Sequence, residues 1–118
     1  MAETNSKGKY DLEDRTLRFA KKTREFVKKL PKNLRNIEDG KQLIRSSGSV
    51  GANYREANES LSKKDFQMRI KISRKESKES VYWLKLLDTN NNKLIKEQRE
   101  LIQEATELMH IFGSILQK

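Results

Sequence analysis

Lys64, Lys71, Lys75, Lys78 and Lys85 follow one another at intervals of 7, 4, 3 and 7 residues. At 3.6 residues per helical turn these intervals keep returning to the same side, so a helix here carries the row on one face, with Arg74 at its edge. Arg15, Arg18, Lys22 and Lys29 make a similar stripe nearer the N-terminus, set opposite the apolar side of its own helix. Rows of this kind neutralise phosphates and release counterions, which gives salt-sensitive nucleic-acid binding with little sequence preference. The plainer use of a lysine-rich helix face is solvation, and the rows alone leave both uses open. Tyr82 and Trp83, inside the second row, are suited to stacking on bases or to ordinary packing.

Other chemistries find little to work with. His110 is the single histidine and there is no cysteine, so no thiolate metal site, histidine cluster or disulfide framework is expected. It lies beside core-type residues Met109 and Phe112, with the surface-type Glu107 near it, and reads as an ordinary helix-surface histidine. The run SSGSVGAN lacks the lysine and the strand-to-helix setting of a phosphate loop. Asn58-Glu59-Ser60 fits a glycosylation acceptor, but no secretory signal accompanies it. The reading is a non-enzymatic protein with no cofactor and no metal.

The elements that must position the rows follow from composition and spacing. The 118 residues suit one domain, and a lone Pro31 with five glycines leaves little material for sheets, so the class is all-α. Charge is uneven: residues 1–32 carry 10 basic and 5 acidic groups, residues 61–78 carry 7 and 2, and residues 79–118 are nearly balanced with 5 and 6. No apolar run approaches the roughly 18 residues of a membrane span, so a cytoplasmic protein with no membrane partner is expected.

Residues 1–10 are polar and aperiodic and are expected to be flexible. Amphipathic spacing then predicts helices over about 11–30, 33–60, 63–88 and 93–117. Pro31 ends the first. Leu34, Ile37, Ile44, Val50, Tyr54, Ala57 and Leu61 are the apolar members of the second. Ser62 caps the third, Asp65 sits in its first turn, and DTNNN at 88–92 makes the last turn. Four such helices with short connections predict an antiparallel up-down bundle. The third carries a second apolar set, Met68, Ile72, Trp83 and Leu86, which either widens the core or faces another copy of the chain.

Residues 46–60, SSGSVGANYREANES, place serine and glycine where flanking residues ask for a helix. Gly40, Gly48 and Gly51 in a helix interior cost about 1 kcal/mol each relative to Ala. Either residues 46–51 break the helix, or the helix is continuous and small residues admit a neighbouring backbone. Ser47, Gly48 and Gly51 share a side with Ile44 and Tyr54, which favours close packing. The polar set Arg45, Ser46, Ser49, Asn53, Arg55 and Glu56 is expected to face a third helix bearing Arg74, Glu76 and Glu79. A network among Arg45, Asn53, Arg55, Glu56, Glu76 and Glu79 would fix helix register or subunit contacts.

The run RSSGSVGANYREANESLSKKDF, followed by RIKISRKESKESVYWLKLL, resembles the bacterial four-helix bundle proteins described as 23S ribosomal RNA intervening-sequence proteins. That family includes the accessory variability determinants of diversity-generating retroelements. The similarity is most specific from Arg45 to Leu87, and the helix pattern on either side fits. The resemblance implies an up-down bundle with an unbroken second helix, a ring-shaped homopentamer and no catalytic residues. For the retroelement branch it implies binding of RNA or DNA and of a reverse transcriptase during copying of a template RNA. The other branch implies an oligomeric protein-interaction scaffold without a direct nucleic-acid role.

Overall fold

The computed structural model describes the backbone of residues 2–118 and the side chains of residues 11–118. The described residues form four α-helices and no strand: α1 Ala2–Lys28, α2 Leu34–Asn58, α3 Lys63–Leu86 and α4 Asn92–Leu116. The backbone of α1 starts ahead of residue 11, where the apolar periodicity begins. The side chains of residues 1–10 lie outside the described residues, and the expected flexible segment falls there.

Local chemistry sets the helix starts. Asn33, Ser62 and Asn91 stand in extended backbone, and each side chain accepts a hydrogen bond from the backbone N–H three residues on, at Asn36, Asp65 and Leu94. Each cap satisfies one of the amides that a helix N-terminus leaves open. Asp65 adds negative charge to the positive end of α3. At the other end of the first helix, Lys29 and Leu30 donate their N–H groups to the carbonyls of Phe26 and Val27, and Pro31 follows.

Each helix turns an apolar stripe inward. Phe19 and Phe26 of α1, Leu43 and Val50 of α2, Ile70 and Leu84 of α3, and Leu108 and Phe112 of α4 are fully buried. Serines fill the seam between α2 and α3. The Ser46 and Ser80 hydroxyls lie 2.9 Å apart, and Ser73 Oγ donates to the Val50 carbonyl at 2.9 Å. Side chains this small let the two helices approach closely, and the hydroxyls remain hydrogen-bonded in the dry seam.

α2 runs unbroken through the serine and glycine stretch, so the helix-break reading is set aside. Two of its glycines are close-packing devices against α1. A Cβ at Gly51 would stand 2.9 Å from Thr16 Oγ1, and one at Gly40 would stand 3.0 Å from Val27 Cγ1. Gly48 departs from the expectation: nothing lies within 4 Å of where its Cβ would be. It sits about 60° around the helix from Gly51 and outside the buried stripe. Leu61, expected at the end of the apolar set, is fully exposed because α2 has ended before it.

A single side chain ties the start of α2 to the end of α3. Buried Asn36 donates to the carbonyls of Pro31 and Asp88 at 2.9 and 3.0 Å and accepts from the Asp88 N–H at 2.8 Å. Gln98 does similar work for α4, donating to the carbonyls of Leu84 and Leu87. These bonds fix how the last turn of α3, which carries Lys85, meets its neighbours.

Candidate nucleic-acid interface

The carboxylates of this chain are sorted by side, and that sorting shapes the surface. On α4, Glu104 and Glu107 accept from Arg15 at 2.8 Å each, Glu97 accepts from Lys29 at 2.6 Å, and Glu100 lines the same groove between α1 and α4. On α3, Glu76 and Glu79 lie 3.3 and 3.9 Å from Arg45 of α2. The acids of α4 therefore face α1, and those acids of α3 face α2. The outer surface where α3 meets α4 is left to cations.

That surface carries Lys64, Lys71, Arg74, Lys75, Lys78 and Lys85 from α3, all exposed. Among the described residues none of the six forms an ion pair. Helical phasing puts exposed Arg99 and His110 of α4 beside them. Arg74 leans over the next helix, with its guanidinium 3.7 to 3.8 Å from where a Cβ on Gly113 would sit. It thus stands on the α4 side of α3, away from the α2 network that the spacing suggested. Asp65 lines a hollow with Lys64 and Lys71, but these six cations and Arg99 form no ion pair among the described residues, so the strip keeps a net positive potential.

The stripe on α1 has a different setting. Arg15, Arg18, Lys22 and Lys29 do not stand opposite the apolar side; all four line a groove of about 700 Å³ against α4. Its floor includes Phe19, Phe26 and Leu101, and its far wall holds Glu97, Glu100 and Glu104. The Arg15 guanidinium grips Glu104 with two nitrogens and reaches Glu107 with one of them. The Glu104 hydrogen bond leads in holding Arg15 firmly protonated, above its already high ordinary value. Glu107 is held below the usual carboxylate range, first by the Gln103 amide and then by Arg15. Arg15 and Lys29 are committed to carboxylates and have little left for a phosphate, while Arg18 and Lys22 form no ion pair among the described residues. Glu25, Glu97, Glu100 and Glu104 line the groove with them and with Lys21 and bring it close to balance.

The polar network of α2 divides in the same way. Arg45 reaches Glu76 and Glu79 as expected. Asn53 donates to the Ser49 carbonyl and hydroxyl, each at 2.9 Å, and accepts from Arg69 Nη1 at 3.0 Å. Arg55 turns the other way, to Glu13 of α1 at 3.5 Å. The Glu56 side chain is exposed and has no ion pair among the described residues. Sequence reasoning passed over Arg69 and Arg99. The spacing of Glu97, Glu100, Glu104 and Glu107, by three, four and three residues, held the signal for Arg99. It assigns α4's acids to one side and leaves Arg99 on the other.

No group of three or more His, Cys, Asp or Glu able to hold a metal ion occurs among the described residues, and no helix there is long and apolar enough to cross a membrane. The family model of the 23S rRNA-intervening sequence protein matches residues 9–114. The chain belongs to this family. A search of curated proteins found no match. Among solved structures, the family chain is similar to a protein of unknown function from the S23 ribosomal protein family of Bacteroides thetaiotaomicron VPI-5482. The two share 29% sequence identity with a TM-score of 0.81, and the match covers 93% of this chain and 98% of that one.

Proposed function

We propose that this chain is a non-enzymatic nucleic-acid-binding protein of the cytoplasm that holds RNA or DNA by its phosphates along the outer face of α3 and α4. The observation that supports this reading is the segregation of charge. Glu76 and Glu79 are drawn to Arg45, and Glu97, Glu104 and Glu107 to α1, which leaves Asp65, beside Lys64 and Lys71, as the acid of α3 near the strip and no ion pair to its lysines or Arg99 among the described residues. A face used only for solvation has no need of that sorting, since interspersed charges of both signs keep a surface soluble.

The bundle is up-down in this reading. Pairs such as Thr16 with Gly51, Val27 with Gly40, Ser46 with Ser80 and Val50 with Ser73 run in opposite senses along neighbouring helices, which supports it. The protein also self-associates, by the resemblance as a homopentamer. Exposed Met68 and Leu86, interleaved with the lysines, and half-buried Ile72 and Trp83 on the α2 side of them supply apolar surface on α3; Met68 lines a hollow with Lys64 and Lys71. Trp83 Nε1 and one Glu79 carboxylate oxygen are buried there without a hydrogen-bond partner among the described residues. The resemblance extends the proposal to a reverse transcriptase as partner and its template RNA or DNA copy as ligand.

Filter binding to a structured RNA and to duplex DNA over a salt series tests the reading. Affinity that falls steeply and linearly on a log–log plot supports it. Negligible affinity at low salt contradicts it and favours the protein-interaction scaffold.

A further inference from the structure

Tyr82 stands inside the lysine strip. Helical phasing places it within about 40° of Lys71, Lys75 and Lys78, with Lys78 one turn before it and Lys85 most of a turn after. It is 59% exposed, the most open aromatic side chain of α3. Its ring is not loose: Trp83 meets it edge-on, with centroids 5.1 Å apart and planes at 76°. Trp83 is itself half-buried and packed against the core, so it holds the tyrosine from one side.

From this arrangement we propose that Tyr82 is a base-stacking platform and that the ligand of the α3 and α4 face is single-stranded nucleic acid. The inference rests on the phosphate-binding reading above and narrows its ligand class. A flat ring between cations fits a strand whose unpaired bases turn toward the protein while its phosphates reach lysines on either side. A duplex has its bases stacked internally and offers the ring nothing but sugar and phosphate. Tyrosine serves here because a fixed aromatic loses little conformational freedom when a base settles on it.

The test compares a fluorescent single-stranded oligouridine with a duplex RNA of equal length, at one low salt concentration, on the wild type, Tyr82→Ala and Tyr82→Phe. Mass photometry and thermal melting of each variant accompany it. Tyr82→Ala is expected to lose about tenfold in affinity for the single strand. Tyr82→Phe keeps it, and duplex binding changes less than about twofold in either variant, with mass and melting temperature unchanged. If the wild type binds neither ligand, the phosphate-binding reading fails and the stacking inference falls with it. If the wild type binds but Tyr82→Ala weakens neither ligand, or weakens both equally while the mass falls, stacking is overturned and phosphate binding stands.

Discussion

Gly51 of α2 lies so close to Thr16 of α1 that a Cβ would come within 2.9 Å of the threonine Oγ1 and 3.1 Å of its Cβ. Thr16 is fully buried, and its Cβ is anchored to its own helix, so it cannot simply swing away. Gly51→Ala should therefore destabilise the fold by about 1 to 3 kcal/mol, the usual cost of overpacking. Gly48→Ala, three residues earlier on the same helix, meets open space and should stabilise by about 0.5 to 1 kcal/mol through helix propensity. Urea unfolding of the two variants reads both signs. Equal effects would mean that α1 does not approach α2 as described.

Asn36 makes three hydrogen bonds from a side chain that is 4% exposed. Asn36→Ala strands the Asp88 amide and two carbonyls, each costing on the order of 1 kcal/mol. A loss of about 2 to 3 kcal/mol is expected in the same unfolding measurement. Asn36→Asp keeps the acceptor for the Asp88 N–H but sets a buried carboxylate oxygen against the Pro31 and Asp88 carbonyls, and at neutral pH should cost at least as much as alanine.

The Glu107 carboxylate of α4 has a pH signature. Glu107 is held below its ordinary carboxylate value, by Gln103 first and Arg15 second. A carboxylate depressed in the folded state favours folding above its unfolded value, near pH 4.3, and that contribution disappears as pH falls through the folded value. NMR titration of the Glu107 carboxyl should give a midpoint below that of an unfolded reference peptide. Gln103→Ala should raise the midpoint toward the reference. A midpoint unmoved by Gln103→Ala would show that the amide does not hold this carboxylate.

Much of this arrangement was legible because its chemistry is local. Asn91, the fourth residue of DTNNN, and Ser62 three residues ahead of Asp65 announce helix starts by side chains that bond within one turn. The all-α class followed from spacing and from the scarcity of glycine and proline. Gly48 and Gly51 were not separable, because both are glycines on one helix and only the position of α1 tells a packed site from an open one. Arg15 and Lys29 looked as available as Lys71, since a row of cations does not reveal which neighbouring helix brings carboxylates to it. Arg55 likewise turned to Glu13, a partner 42 residues earlier that no local pattern could supply.

The measurement that bears most directly on the phosphate-binding face is a salt series of RNA affinity for a charge-reversed α3. The triple variant Lys71→Glu, Lys75→Glu and Lys78→Glu should lower the log–log salt slope by about three or more and cut low-salt affinity by at least about 100-fold. Arg18→Glu with Lys22→Glu, in the groove that carboxylates already balance, should stay within about threefold of the wild type. Both variants must first match the wild type in mass and in melting behaviour. Wild-type affinity in the α3 variant, or an equal loss in the α1 variant, would contradict the assignment of phosphate binding to the α3 and α4 face.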